Sequence, residues 1–188
     1  LPSAVEELGG ADLISWAFTL YQLGSILAGA AAGLLASKIG LREGLVGAAL
    51  VYGIGSVVCA TAPVMQAVLA GRLLQGAGGG MLLALCYVAI SRNFPAEIIP
   101  RLMAAISAVW SASAFCGPLI GGTFSTYGLW RVGFWAFAVQ AAIFAVCALM
   151  TLARTSTNGD QEPPRFPVQR LGILTLAILL VGFASTWV

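Results

Sequence analysis

The chain has 188 residues, of which 60% are hydrophobic and 9% are charged, and its mean hydropathy is +0.96. A water-soluble domain cannot bury this much apolar surface, so the composition excludes that class. The net charge of +2 says little about partners, and we expect no nucleic acid among them.

Long apolar stretches recur along the chain, separated by short polar breaks. A helix that crosses a bilayer needs about 20 mostly apolar residues. Six stretches meet this need: 13–36, 44–62, 65–90, 103–124, 132–153 and 171–188. The chain opens on the acidic sequence LPSAVEEL, which does not fit a signal peptide. These features predict an all-α fold, a polytopic transmembrane bundle of about six helices in contact with the lipid bilayer.

The cations outside the predicted spans divide unequally between the two sides of the membrane. One side holds seven of them: Lys38, Arg42, Arg92, Arg101, Arg154, Arg165 and Arg170. The opposite side holds Arg131, with the acids Glu6, Glu7 and Asp12. Because cytoplasmic loops carry the excess of Lys and Arg, we expect the Lys38, Arg92 and Arg154 loops in the cytoplasm. The predicted location is multi-pass, in the cell (inner) membrane.

A short pattern recurs after the first and fourth predicted spans. GLREG occupies residues 40–44 and GLWRVG occupies residues 128–133. Each places Gly-Leu, an arginine and a glycine at a helix exit, on opposite sides of the membrane. An inverted repeat of three helices would give this arrangement, and so would chance similarity in a chain rich in Gly and Leu.

The third predicted span carries an arginine. Arg72 lies seven residues after Met65, about 10 Å into the helix, where an ionised side chain costs at least about 2.5–3.5 kcal/mol. Gln75, Gly76 and Gly79 follow at helical spacing and share a face with it. One interpretation is that Arg72 snorkels back to the interface. The other is a buried polar face that lines a transport cavity, with the glycines allowing close helix approach.

The fourth span contains SAFCGPLIGG, residues 113–122. Pro118 removes a backbone donor in mid-helix and should bend the helix. Gly117, Gly121 and Gly122 predict a closely packed seam beside it.

Beyond the fifth span, residues 154–170 are polar and hold three prolines. We therefore divide the chain into a helical block at 1–153, a cytoplasmic linker at 154–170 and a following transmembrane helix at 171–188. Both chain ends look cut, so we expect a fragment of a longer protein.

These stretches together resemble the major facilitator superfamily, and within it the drug:proton antiporters. RLLQGAGG at 72–79 resembles the fourth-helix motif RxxQGxgaa, and residues 113–122 resemble the fifth-helix antiporter motif gxxxGPxiGG. GLLASKIGLR at 33–42 resembles the loop motif GxLaDrxGrkr, and WAFTLY at 16–21 resembles the WvxtaY opening of the second helix. The six spans would then be family helices two to seven, part of a transporter with 12 or 14 helices.

The resemblance implies an exporter of small lipophilic compounds, driven by the proton gradient and working by alternating access against a missing C-terminal half. Transport and coupling would depend on Arg72, Gln75, Gly76 and Gly79. The resemblance implies a flexible seam of Gly117, Pro118, Gly121 and Gly122. It also implies a cytoplasmic gate loop with Gly33, Lys38, Gly40 and Arg42.

Two departures from the family pattern leave other functions open. Ser37 stands where the loop motif has an acid that latches the cytoplasmic side, and no Asp or Glu lies inside an apolar span. The alternatives are a superfamily transporter for a metabolite and a transport-inactive scaffold or sensor. An enzyme is not expected, because the chain has no histidine and no carboxylate at membrane depth. We expect no cofactor and no metal.

Overall fold

The computed structural model describes residues 2–152, and that range is helical without strands. Its elements are α1 (Pro2–Leu8), a 3-10 turn (Ala11–Leu13), α2 (Ile14–Ile39), α3 (Leu41–Thr61), α4 (Met65–Asn93), α5 (Ile99–Thr126) and α6 (Trp130–Thr151). Five of these helices, α2 to α6, are long and apolar enough to cross a membrane, which confirms five predicted spans. The sixth span at 171–188 and the linker at 154–170 lie outside the described residues.

The helices extend past the predicted spans where charged residues begin. α3 begins at Leu41 rather than residue 44, α4 continues to Asn93 rather than residue 90, and α5 begins at Ile99 rather than residue 103. Backbone hydrogen bonding does not stop at the edge of the hydrocarbon, and the terminal charged side chains reach water from a continuing helix. Pro100 lies in the first turn of α5, where its missing N–H costs nothing.

The acidic opening of the chain forms the short helix α1. Gly9 and Gly10 follow it with φ of 72° and 82°, a left-handed backbone that ends the helix and is favourable for glycine. We call the end of the bundle that carries Glu7 the Glu7 end, and the end that carries Lys38 the Lys38 end.

Helix α4 packs against α2 through glycines. A methyl group at Gly76 would overlap the carbonyl oxygen of Tyr21, and one at Gly80 would overlap the backbone of Ser25. From the other side, Gly24 lies directly against the α4 backbone. Small residues at this spacing allow two membrane helices to approach to backbone contact.

The opposite side of α4 meets α3 in the same manner. A methyl group on Gly55 would lie 2.8 Å from the Gly71 carbonyl oxygen, and one on Gly71 would lie 2.8 Å from the Gly55 carbonyl oxygen. Two turns further along α4, Gly78 lies against the backbone of Tyr52. α4 is therefore held between α2 and α3, and side chains at the edges of both contacts converge on it.

Helix α6 packs against α3 on the side away from α2. At the Lys38 end, Arg42 of α3 donates through Nη2 to the carbonyl oxygen of Leu149 in α6. At the Glu7 end, Arg131 of α6 donates through Nη1 to the carbonyl oxygens of Ala60 (3.1 Å) and Ala62 (3.0 Å). The two helices are thus antiparallel neighbours joined at both ends.

Helix α5 lies at the edge of the described bundle. Its large apolar side chains are exposed, with Phe115 at 82% and Leu119 at 72%. The helix runs without a break through Pro118. This exposure leaves the apolar surface of α5 for lipid or for protein beyond the described residues.

Candidate functional site

Arg72 points along α4 toward the middle of the bundle. Its Nη1 donates to Oε1 of Gln75 at 3.1 Å, and its Cζ lies 4.4 Å from the centroid of the Tyr21 ring. Gln75 is one turn further from the start of α4 at Met65. A side chain that snorkels to the Glu7 end would point the opposite way, so this geometry favours the buried polar face over snorkelling.

Gln75 links Arg72 to α3. Its side chain is 1% exposed, and its Nε2 donates to the hydroxyl of Ser56 at 2.8 Å. The Ser56 hydroxyl in turn donates to the carbonyl oxygen of Tyr52 at 2.9 Å. Cys59 lies beside the same amide, with its Sγ 3.8 Å from Oε1. The hydrogen bonds form a directed chain from the guanidinium through the amide and the hydroxyl, which fixes the orientation of Gln75.

The guanidinium of Arg72 keeps unused hydrogen-bonding capacity. Within the described part of the chain its Nε is buried and has no hydrogen-bond partner. Arginine carries five donors in a rigid fork and stays charged. A buried donor without a partner is costly and calls for an explanation. Here it marks the guanidinium as a place where a further acceptor could bind.

The two glycines of the predicted site have different surroundings. Gly76 lies against the Tyr21 backbone and sets the distance between α2 and α4. A methyl group at Gly79 would instead meet side chains, the Tyr21 hydroxyl at 3.3 Å and Cδ2 of Tyr52 at 3.6 Å. All four predicted residues therefore lie where α4 faces α2 and α3.

The glycines and proline of α5 are apart from this cluster. Gly117, Pro118, Gly121 and Gly122 all lie on an exposed stretch of the helix. A methyl group on Gly117 or Gly121 would have no described atom within 4 Å. The predicted seam is therefore not formed among residues 2–152, and its role stays a prediction about what packs there.

The gate-loop residues lie together at the Lys38 end. Lys38 is exposed, Gly40 adopts φ of 90° between α2 and α3, and a methyl group on Gly33 would meet no described atom. Arg42 turns to α6 and is 19% exposed, with Nη1 3.9 Å from Glu43. The Ser37 hydroxyl donates to the Leu34 carbonyl oxygen of its own helix at 2.8 Å.

A groove lies between α3 and α6, away from Arg72. Its volume is about 330 Å³, and all of its lining residues are alanine, glycine, valine, leucine or isoleucine. Ile54 and Leu50 at its wall are 56% and 53% exposed. Without a polar side chain it offers no group that could bind or release a proton.

Sequence reasoning missed the aromatic and hydroxyl partners of Arg72. Tyr21 belongs to the WAFTLY segment, but nothing in that pattern shows that its ring would lie under a guanidinium. Ser56 is a single small polar residue in an apolar helix, a weak signal for a buried hydrogen bond. The sequence shows the arginine in each Gly-Leu repeat, but it does not show the backbone carbonyl groups that accept hydrogen bonds from these arginines.

The whole chain, residues 1–188, matches the family described as Major Facilitator Superfamily. The chain belongs to this superfamily. The five described spans are therefore part of a major facilitator bundle, and the chain is part of a multi-pass integral membrane protein. Its family consists of transporters rather than enzymes.

Several curated relatives of the chain are named as transporters or pumps. A "probable multidrug-efflux transporter" of Mycobacterium tuberculosis is 35% identical, over 98% of this chain and 40% of the relative. A "multidrug efflux pump" of Staphylococcus aureus is 26% identical, over 98% of this chain and 41% of the pump. A "vacuolar basic amino acid transporter" of Saccharomyces cerevisiae is 31% identical, over 78% of this chain and 25% of that protein. The chain thus spans less than half the length of each.

Proposed function

We propose that the whole protein to which this superfamily chain belongs exports small lipophilic compounds, driven by the proton gradient. The observation that carries the proposal is the inward direction of Arg72, held by Gln75 and Tyr21 between three helices. The names of the two multidrug-efflux relatives support the choice of substrate class.

Arg72 acts as a fixed positive charge and not as the proton carrier. Arginine does not lose its proton in the working range of a transporter. No Asp or Glu lies within an apolar span of the sequence, so in this proposal the group that takes up the proton belongs to another segment of the whole protein. An acid brought beside the Arg72 guanidinium would have its pKa lowered, and it would release its proton there. The unpartnered Nε is available to such an acceptor.

Alternating access is a movement of this half against a second half of the transporter. The glycine contacts on both sides of α4 tie α2, α3 and α4 into one unit, which suits movement as a rigid body. The exposed Gly117–Pro118 region of α5 is then the surface that packs against the second half. In this proposal the Lys38 end, which carries Lys38 and Arg42, faces the cytoplasm, the side that the loop charges favour.

The test is an Arg72→Lys substitution in the full-length protein, assayed in inside-out vesicles with an imposed proton gradient. Lysine keeps the charge but lacks the planar fork that reaches Gln75 and covers the Tyr21 ring. We expect proton-driven efflux of ethidium, a lipophilic dye, to be abolished while membrane insertion is unchanged. Arg92→Lys, on the exposed Lys38 end, is the matched control and should transport normally. Normal efflux by Arg72→Lys would refute the proposal.

A metabolite transporter is the second candidate, favoured by the basic amino acid transporter among the relatives. Vesicles with pH gradients of each sign separate the two. Accumulation of radiolabelled lysine or arginine in place of ethidium would favour the second candidate.

A further inference from the structure

Tyr21 touches the Arg72 site in three places. Its ring centroid lies 4.4 Å from the guanidinium carbon of Arg72. Its carbonyl oxygen lies against Gly76, and its hydroxyl lies 3.3 Å from the position of a methyl group on Gly79. One residue of α2 therefore contacts the α4 signature from the arginine to its last glycine, through its ring, its hydroxyl and its backbone carbonyl group.

The backbone of Tyr21 has no freedom to withdraw. α2 and α4 are in backbone contact at Gly76 and again at Gly80, one turn later. Any change around the ring must therefore be absorbed by the ring itself. The ring is thereby attached to a backbone whose position beside the guanidinium is fixed.

The face of an aromatic ring attracts a cation, and more strongly where water is excluded. For Arg72 this attraction also sets the direction in which the guanidinium points. Without the ring, the long side chain could swing back toward the start of α4 and the water at the Glu7 end. The guanidinium would then leave Gln75.

We infer that Tyr21 is a positioning residue for Arg72, and that Gly79 keeps the space which the Tyr21 hydroxyl occupies. The inference rests on the proposed function, because it assigns the direction of the guanidinium that efflux requires. It gives Gly79 a different role from Gly76. Gly76 allows the backbone of Tyr21 to approach α4, whereas Gly79 leaves space for the phenol side chain of Tyr21.

The first experiment compares two substitutions of Tyr21 in the full-length protein. Tyr21→Phe keeps the ring face, and we expect ethidium efflux within about twofold of wild type. Tyr21→Leu keeps an apolar side chain but removes the ring, and we expect efflux to fall about tenfold, in line with a desolvated cation–ring contact. A purely space-filling role would make the two variants alike, which would overturn the inference.

The second experiment tests Gly79 by suppression. In Gly79→Ala the new methyl group meets the Tyr21 hydroxyl, and we expect efflux to fall about threefold, a modest effect because the neighbour must yield by only a few tenths of an ångström. Tyr21→Phe removes that hydroxyl, so the double variant Gly79→Ala/Tyr21→Phe should recover efflux. The control Gly47→Ala places a methyl group where no described atom lies within 4 Å, and it should match wild type.

The outcomes separate this inference from the proposed function. If Arg72→Lys is inactive but Tyr21→Leu transports normally, the positioning role is overturned and the proposed function stands. If Arg72→Lys transports normally, the proposed function itself is wrong. If Tyr21→Leu fails to reach the membrane, the suppression decides, and no recovery in the double variant would mean that Gly79 acts through helix packing instead.

Discussion

Arg42 and Arg131 join the same two helices from opposite ends. Arg42 lies in the first turn of α3 and donates to the Leu149 carbonyl oxygen in the last turn of α6. Arg131 lies in the first turn of α6 and donates to the Ala60 and Ala62 carbonyl oxygens at the end of α3. In both cases a cation satisfies carbonyl groups that a helix end leaves unpaired, where the helix dipole also favours positive charge.

These contacts predict that both arginines stabilise the α3–α6 pair. A hydrogen bond from a charged donor contributes about 1.5–3 kcal/mol when buried and less when exposed. The side chains are 19% and 34% exposed, so we expect Arg42→Gln and Arg131→Gln each to cost about 1 kcal/mol. Thermal unfolding of the purified full-length protein measures this, with Arg101→Gln on an exposed position as control. Unfolding midpoints equal to the control would show that the contacts contribute nothing.

At the Glu7 end, the contact of Arg131 also includes a titratable group, the Glu7 carboxylate. Glu7 accepts from Nη2 of Arg131 at 2.9 Å and from Nε1 of Trp130 at 2.8 Å. The hydrogen bond from Arg131, and then that from Trp130, lowers the pKa of Glu7 below its usual value of 4.5. The Arg131 guanidinium also lies over the Trp130 ring, with Cζ 4.4 Å from its centroid. α1 is thereby fastened to α6 by its ionised carboxylate.

The pH dependence follows from the direction of that shift. A carboxylate with a depressed folded-state pKa stabilises the fold fully above its unfolded pKa, and the contribution is lost as pH falls through the folded-state pKa. At pH values below 4.5, we expect the thermal unfolding midpoint of wild type to decrease by more than that of Glu7→Gln. Glu97→Gln, an exposed acid in the connection before α5, should keep the wild-type pH dependence. An identical acid response in wild type and Glu7→Gln would contradict the role of this contact.

Hydropathy was sufficient to predict the five spans, because length and apolar content set them directly. The Gly-Leu repeat was also informative. Gly40 and Gly128 both adopt positive φ, 90° and 69°, and the arginine after each turn makes an equivalent contact. This equivalence favours the inverted repeat over chance similarity. The acceptors of both arginines are backbone carbonyl groups, which no residue type reports, so neither contact could be predicted.

The Arg72 site, too, could be predicted only in part from the sequence. Its depth and its helical neighbours follow from spacing along α4. The ring of Tyr21 and the hydroxyl of Ser56 come from α2 and α3, and their distance from Arg72 depends on how closely three helices pack. That packing is set by glycines whose faces are ambiguous in a sequence with 23 of them. The exposure of α5 was equally hidden, because it depends on what lies beyond the described residues.

The glycine contact between α4 and α2 leads to a last prediction, about stability. Gly80 lies against the backbone of Ser25, so Gly80→Ala forces α2 away from α4 along their shared contact. Overpacking of this kind costs about 1–3 kcal/mol, and backbone cannot yield as a flexible side chain can. We expect a smaller fraction of full-length protein to elute as a monodisperse peak from a detergent size-exclusion column. Gly133→Ala in α6 adds the same methyl group where no described atom lies within 4 Å, and should elute like wild type. If Gly80→Ala and Gly133→Ala behave alike, α2 and α4 are not in backbone contact in the membrane, and the fixed position of Tyr21 that this contact provides is lost with it.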